Sequence, residues 1–352
     1  MTAPDTGSPA VNETPFADLT PQAVLDALDA LGLVGDGRMI QLNSYENRVF
    51  QVFLESGAVV VPKFYRPGRW SDAQILEEHA FAAELAAREI PVIAPLVLAA
   101  AQPPREPVTL MGEPPTLARV LGQRVGVSPR RSGRAPELED ACTLEWIGRF
   151  IGRMHAVGAA QRFEHRGSLD IATFGSGARD YLLAHDWVPP EALPGWRAAI
   201  DAALGEVLRA FDALPDLRTL RLHGDCHLGN ILWTDAGPHF VDLDDALTGP
   251  AVQDLWMLLS GDHESMTRQR GAVLAGYEDF MDFDWRELRL VEPLRTLRLI
   301  HHSAWIARRW GDPAFPPAFP WFAGRAYWGQ QTIQLEEQID AMREAPLGTL
   351  PG

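Results

Sequence analysis

The chain has 352 residues and is 46% hydrophobic, enough apolar material for two lobes sharing a cleft rather than one small domain. Its net charge of −16, from 47 acidic and 31 basic side chains, excludes a nucleic-acid or anionic-membrane surface unless the basic groups cluster, and tolerates cationic partners such as peptides or polyamines. Cys142 and Cys226 alone make neither a disulfide framework nor a four-ligand zinc site.

Residues 1–17, rich in Pro, Thr, Ala, Asp and Ser, read as a disordered tail, and 344–352 as a short tail at the other end. The start has no basic region and no apolar region, so it is not a signal peptide. The longest nearly apolar run, 91–101, is too short to cross a bilayer and contains prolines, so a reducing cytoplasm is expected. Thr20-Pro21 is an N-cap with proline at the first helical position; Val24, Leu25, Leu28 and Leu31 then form one apolar face, and Gly32 ends the helix. Residues 43–65 read as a hairpin: a strand over 49–54, a turn at Glu55-Ser56-Gly57, and a second strand over 58–61 leading to Lys63. Pro62 cannot donate a ladder bond and suits an edge or a bulge, which leaves Lys63 either aimed at a site or solvated at a strand end.

Ser71 and Gln74 make a capping box that opens a helix running to about residue 89. On it Ile75, Glu78, Ala82 and Leu85 share a face, whereas Glu77 lies nearer Glu84 and Arg88. A carboxylate inside an apolar stripe needs a partner, which selects Glu78 over Glu77 as the functional acid. Residues 91–98 read as a buried strand. The stretch 102–140 is rich in proline and ambiguous, with Arg124, Arg130, Arg131 and Arg134 as a basic island. The island reads as a solvated loop, with a docking patch or phosphorylation at Ser132 as alternatives. From about residue 137 the chain is helical, with Trp146, Ile147, Phe150, Ile151 and Met154 in one core stripe ending at His155. A second amphipathic helix covers 190–214, and another helical region over 285–310 is kinked or split at Pro293; His301 and His302 on it line a cleft or a core.

His223-Gly224-Asp225-Cys226-His227-Leu228-Gly229-Asn230, followed by Phe240-Val241-Asp242-Leu243-Asp244, carries the chemistry. A phosphoryl transferase needs one carboxylate to orient and deprotonate the attacking hydroxyl, and an Asn and a second Asp to hold Mg²⁺ against the ATP phosphates. His223, Asp225 and Asn230 keep the spacing of the kinase loop H-R-D-x-x-x-x-N, with Gly224 for Arg. Asp242 stands where the metal-binding Asp of D-F-G would be, and Asp244 shares its strand face. Short strands at 220–222, 231–233 and 239–241, with a turn at 234–237, bring Asn230 and Asp242 together at the ends of a hairpin. Asp, Asn and Gly are also ordinary turn formers, and His223 and His227 have the spacing of a metal pair with Asp225.

His-Gly-Asp-x-His-x-x-Asn before an apolar-Asp-x-Asp strand resembles the aminoglycoside phosphotransferase and choline kinase group of kinase-fold enzymes. Ser44-Tyr45-Glu46-Asn47-Arg48-Val49, Lys63-Phe64-Tyr65-Arg66-Pro67, Ile75-Leu76-Glu77-Glu78-His79 and Gly249-Pro250-Ala251-Val252-Gln253-Asp254 are similar to a branch of Ser/Thr protein kinases in the bacterial stress response. So is the proline-rich stretch 313–321. The likeness runs from about residue 20 to 350 and is weakest over 100–145 and 165–215.

The resemblance implies an α+β, two-lobed protein-kinase-like fold, with a β-rich small lobe over 18–120 and a mainly helical large lobe over 121–343. It implies ATP and Mg²⁺, with Asp225 as base and orienter, and Asn230, Asp242 and Asp244 at the metal. Lys63 is placed at the phosphates with Glu78 as its ion-pair partner, and His223 and Asp254 support the catalytic loop. Residues 116–121 become the last small-lobe strand and the connector to the large lobe. Ser44, Tyr45, Glu46 and Asn47 form a phosphate-side loop without the usual glycines; a plain β-turn is its other reading. The expected acceptor is a protein Ser/Thr hydroxyl, with autophosphorylation, in a monomer that binds neither nucleic acid nor membrane. Two other functions share these residues: a kinase of an amino alcohol, homoserine or aminoglycoside, and a non-catalytic nucleotide-binding regulator.

Overall fold

The computed structural model describes residues 15–103 and 105–344, so most of the two expected tails, 1–14 and 345–352, lies outside the described residues. Phe16, placed in the first tail by its composition, instead belongs to the small-lobe core, with the Arg48 guanidinium 4.8 Å from its ring centre.

Thr20 caps α1 (Pro21–Ala30), its hydroxyl accepting from the Ala23 amide, and Val24, Ala27 and Leu28 are buried by the helix. They cover one face of an antiparallel sheet made of β1 (Gly35–Leu42), β2 (Arg48–Leu54), β3 (Val59–Phe64), β4 (Val108–Met111), β5 (Leu117–Val120) and β6 (Gln123–Pro129). The strand order is β1-β2-β3-β6-β5-β4. Between β3 and β4 the chain makes α2 (Asp72–Ala87), whose capping box is formed as expected. On β3 the alternation puts Val60, Pro62 and Phe64 into the core and turns Lys63 to the opposite face. A slip of one residue would bury the lysine.

Three expectations fail in the small lobe. Pro62 is neither at an edge nor at a bulge: β3 is a central strand, and Pro62 pairs with Val127 of β6 while Lys63 keeps its register with Val49 and Gly126. Residues 91–98 do not form a strand beyond one bridge, Val92 to Phe240. Prolines 91 and 95 have no amide to donate, and the segment is held by single bonds, Leu96 to Val127 and Leu98 to Pro115. The last strand is β6 rather than 116–121, so the sheet continues past residue 120. Arg124 is accordingly no loop residue. It is buried on β6, bonded to the Trp70 and Arg66 carbonyls and to Asp72.

The large lobe begins with α3 (Ala141–Gly158), capped by Asp140. It continues through α4 (Gly177–Ala184), α5 (Leu193–Asp212), β7 (Leu220–Leu222), β8 (Ile231–Thr234), β9 (Gly237–Phe240), β10 (Leu247–Gly249) and α6 (Gln253–Trp256). It ends with α7 (His263–Tyr277), α8 (Val291–Arg308), α9 (Phe315–Ala318) and α10 (Arg325–Arg343). The structure therefore has the expected α+β kinase-like architecture, a β-rich lobe against a mainly helical one. One core packs α3 and α7 around the β7–β10 region, and a second packs α4, α5, α8 and α10. Gly148 and Gly276 let α3 and α7 touch: a Cβ would lie 2.0 Å from the Val273 carbonyl oxygen at the first and 1.9 Å from that of Glu145 at the second. Trp146, expected in the core stripe, is 43% exposed at the edge of α3, beside Gly237. Pro293 does not kink α8. It sits in the first turn, where its missing amide has no partner to lose, and a 3₁₀ segment Trp285–Leu290 precedes it.

Candidate active site

Strand β7 pairs with β10, and β8 with β9, so residues 223–230 form a loop between two short ladders. Asp254, at the start of α6, is fully buried and fixes that loop. Its carboxylate accepts from the His223 and Gly224 amides, both at 2.8 Å, and from His155 Nε2 at 3.1 Å. His155 is bonded in turn to the Tyr277 hydroxyl at 3.0 Å. His223 donates Nε2–H to the Val241 carbonyl at 2.9 Å and so ties the loop to the strand that delivers Asp242. Gly224 explains why arginine is not found there: its φ is +85°, and a Cβ would lie 2.2 Å from the Asp245 carbonyl oxygen.

The loop presents Asp225 with Asn230 folded back on it. The Asn230 amide nitrogen donates to the Asp225 carbonyl at 2.9 Å and lies 3.4 Å from its Oδ2. His227 Nε2 is also 3.4 Å from Oδ2, and Arg298 Nη1 is 2.6 Å from Oδ1. Burial pushes the Asp225 carboxyl up, but His227 and Arg298 more than reverse this and hold it well below the usual range.

Opposite stand Lys63, Asp242 and Asp244. The β8–β9 register brings Val241 against Asn230, and the next residue, Asp242, takes a left-handed φ of 61°. Its Oδ1 lies 2.7 Å from Lys63 Nζ, and Asp244 Oδ1 lies 3.9 Å from the same nitrogen. Burial opposes the charge on Lys63, but the two aspartates outweigh it and raise its pKa well above the lysine norm. Burial also pushes Asp244 up, yet Arg69, Lys63 and Arg166 hold it low. Asp244 Oδ1 is buried with no hydrogen-bond partner, an oxygen facing the space that Asp242 shares. Two carboxylates and an amide oxygen are hard ligands of the kind Mg²⁺ takes, and two carboxylates suffice where phosphate oxygens complete the shell. The residues present therefore fit a divalent cation.

A phosphotransferase enzyme family model matches residues 39–291, a span holding all of these groups except Arg298. The chain belongs to this phosphotransferase family. Over 340 residues, it is 42% identical to a Salmonella typhimurium protein named serine/threonine protein kinase RdoA, covering 97% of this chain and 98% of that one. It is 44% identical to Escherichia coli stress response kinase A over 338 residues, 96% of this chain and 97% of the relative. Among solved structures, an amicoumacin kinase superposes with a TM-score of 0.67 at 17% identity, covering 94% of this chain and 95% of that chain. A microcompartment-associated aminopropanol kinase gives 0.65 at 17%, covering 92% and 98%. At that identity the likeness is one of fold.

The remaining site residues of this phosphotransferase are placed as follows. Glu78 lies on the buried face of α2, but it makes no ion pair with Lys63; its Oε2 has no hydrogen-bond partner and is 3.9 Å from His79 Nε2. Burial raises the Glu78 pKa to about 7 against the pull of Lys63. The alternative acid, Glu77, instead accepts from the Glu164, His165 and Arg166 amides and pins α2 to the large lobe. In the glycine-free loop Ser44 accepts from the Asn47 amide at 3.2 Å. Tyr45 rests its ring 5.0 Å from that of Phe319. Glu46 is taken up by Arg66, Arg309 and Trp305. Asn47 donates to Asp244 at 3.2 Å and accepts from the Arg66 amide at 3.1 Å.

Sequence reasoning missed the arginines. Arg69 bonds both Asp244 and Asp245, Arg66 reaches Asp312 at 2.5 Å, Arg166 bonds the Asp244 and Ala246 carbonyls, and Arg298 meets Asp225. The available signal was the run of three basic residues, Arg66, Arg69 and Lys63, flanking Pro67-Gly68. A buried arginine has no periodicity of its own, so nothing separated these from solvated ones.

Glu287 gives a test away from the chemistry. Its carboxylate accepts from the Val252 amide at 2.8 Å at the entry to α6, and burial raises its pKa to about 7. A folded pKa above the ordinary 4.5 means the folded chain holds the proton more tightly, so this stability is complete below pH 4.5 and is lost as pH rises through 7. Glu287 and Glu78 should each contribute about 2–3 kcal/mol to that slope. His79 and His301, lowered by burial, pull the other way over the same range, so the signature is a difference: between pH 5 and pH 7.5 the melting temperature of the wild type should fall relative to that of Glu287→Gln protein. An unchanged slope in the variant would refute the assignment.

Proposed function

We propose that the chain is an ATP- and Mg²⁺-dependent Ser/Thr protein kinase of the bacterial cytoplasm, acting in a stress response and phosphorylating itself as well as a protein partner. The observation that carries this is the convergence of Asp225 and Asn230, on the loop held by Asp254, with Lys63, Asp242 and Asp244 across the same cleft. The name of the relative at 42% identity, a serine/threonine protein kinase, supports protein as the acceptor, and that of the relative at 44% supports the stress response.

In this reading Asn230, Asp242 and Asp244 would hold the metal, which would neutralise phosphate charge. Lys63 meets the phosphates beside Asp242, and Glu78 supplies a second acid near the lysine. The 44–47 loop offers the Tyr45 and Glu46 backbone amides, since the Asn47 amide is held by Ser44 and the Glu46 and Asn47 side chains are engaged elsewhere. Asp225 orients the acceptor hydroxyl. Because Arg298 and His227 keep that carboxylate weakly basic, the proton passes to it late, when the oxygen–phosphorus bond is already forming and ADP is leaving with the electron pair.

The second reading, a kinase of small cationic alcohols, is favoured by the net charge of −16. Purified protein incubated with γ-labelled ATP and Mg²⁺, with a protein mixture and separately with small hydroxyl amines, separates the two. Label on Ser or Thr of protein supports the first. Label only in the amine pool replaces it with the second. No label, with ATP still bound, leaves a nucleotide-binding regulator.

A further inference from the structure

Asp225 orients the acceptor hydroxyl, but the residues that meet the groups beside that hydroxyl have no assignment so far. One face of α8 runs from the catalytic loop to the nucleotide-side loop: Arg298, His302, Trp305 and Arg309 follow at spacings of four, three and four, which is a single helical stripe. Arg298 opens the stripe at Asp225, and Trp305 and Arg309 close it on Glu46. Between them His302 stacks on Trp305 with ring centres 5.5 Å apart and planes 16° from parallel. Tyr45 and Phe319 complete an aromatic wall, with Tyr45 half-exposed.

We propose that Arg298 sets acceptor charge in this kinase: it selects a Ser or Thr hydroxyl flanked by carboxylate side chains and rejects acceptors carrying an ammonium group beside the hydroxyl. The inference rests on the protein-kinase reading.

A hydroxyl oriented by Asp225 must lie within hydrogen-bond reach of its carboxylate. The Arg298 guanidinium is 2.6 Å from the same carboxylate, so groups flanking the hydroxyl come within a few ångströms of a fixed positive charge. Its side chain is 48% exposed, and of its five N–H donors one of the two at Nη1 is committed to Asp225. The rest form a fork of the kind that grips a carboxylate. No second cation is needed nearby: burial lowers both His301 and His302, with Arg298 adding to it, so both rings are neutral at physiological pH. The acidic surface does not oppose this. Charges elsewhere on the molecule are screened beyond about 8 Å at physiological salt, and Asp242, Asp244 and Asp245 are met by Lys63 and Arg69, whereas Arg298 acts in contact.

The test uses the full chain with MgATP and three peptides that share one Ser, flanked by Asp, Gln or Lys. A pool of small hydroxyl amines runs beside them. Wild-type protein should prefer the Asp peptide over the Lys peptide by at least about tenfold in kcat/KM, carried mainly by KM. Arg298→Lys should keep the preference, Arg298→Gln should reduce it to near unity, and Arg298→Glu should reverse it. Binding of nucleotide, read as a rise in melting temperature, identifies a variant that has not folded, and the Lys and Gln variants decide the matter alone if the Glu variant fails. The same peptide ratio in every variant overturns the inference and leaves the kinase reading intact; a common change in kcat from releasing Asp225 does not bear on it, because the ratio is read within each variant. Label on amines and on no peptide overturns both.

Discussion

Asp225→Asn protein is expected to bind ATP as the wild type does and to lose about 10²–10⁴ of turnover, the range that loss of a positioned base or orienter spans. The amide keeps the shape of the side chain, and the opposite wall, Lys63 at 2.7 Å from Asp242 with Asp244 behind it, shares no bond with residue 225. Nucleotide affinity should therefore stay within about threefold while the chemical step collapses, a pattern that marks an interaction made in the transition state. Stability should change little. The partners lost are Arg298 and His227, whose side chains are 48% and 39% exposed, and such pairs contribute about 1 kcal/mol or less each. Single-turnover transfer of labelled phosphate, with nucleotide affinity measured on the same preparation, separates the two effects. Turnover near that of the wild type would remove Asp225 from the chemistry.

Much of this site could be read from the chain because its parts are local. His223 to Asn230 is one loop, and its flanking strands are short apolar runs on either side of a glycine turn, so spacing alone placed Asn230 near Asp242. Helices α2 and α3 were legible for the same reason, since the Ser71 capping box of the first and the 3.6-residue apolar stripe of the second are each written within a few residues. What stayed illegible depends on contacts across the chain. Strand β6 is a central strand whose partners, β3 and β5, decide its existence, and its Arg124 looked like a loop residue. Residues 91–98 have the composition of a strand, but their prolines leave them without a ladder. Glu78 was rightly placed on the buried face, yet the lysine it was expected to neutralise is taken by Asp242 and Asp244. The arginines mattered most. Arg66, Arg69 and Arg298 pair with carboxylates 246, 175 and 73 residues away in the chain, distances at which no periodicity survives.

Asp254→Ala should damage both folding and turnover, and the comparison with Asp225→Asn distinguishes a brace from a reacting group. Asp254 is fully buried, and its carboxylate is the acceptor for the His223 and Gly224 amides and for His155 Nε2. Alanine leaves three donors in a site that water does not reach, and breaking a buried charged network of this kind costs about 3–5 kcal/mol. For a chain of this size that corresponds to a fall in melting temperature of about 4–7 °C. The loss also reaches the chemistry. Gly224 holds its left-handed turn between the Asp254 carboxylate and the Asp245 carbonyl, and without the first the backbone that aims Asp225 is free to relax. A shift of about 1 Å there is worth roughly 10²-fold in rate. Asp254→Asn, which keeps one acceptor oxygen and turns a donor towards the other amide, should fall between the alanine variant and the wild type in both measurements. Calorimetry and single-turnover rates on the three proteins should thus move together, whereas in Asp225→Asn protein only the rate moves. A melting temperature unaffected in Asp254→Ala protein would mean that the loop is held by its own ladder and by His223 alone.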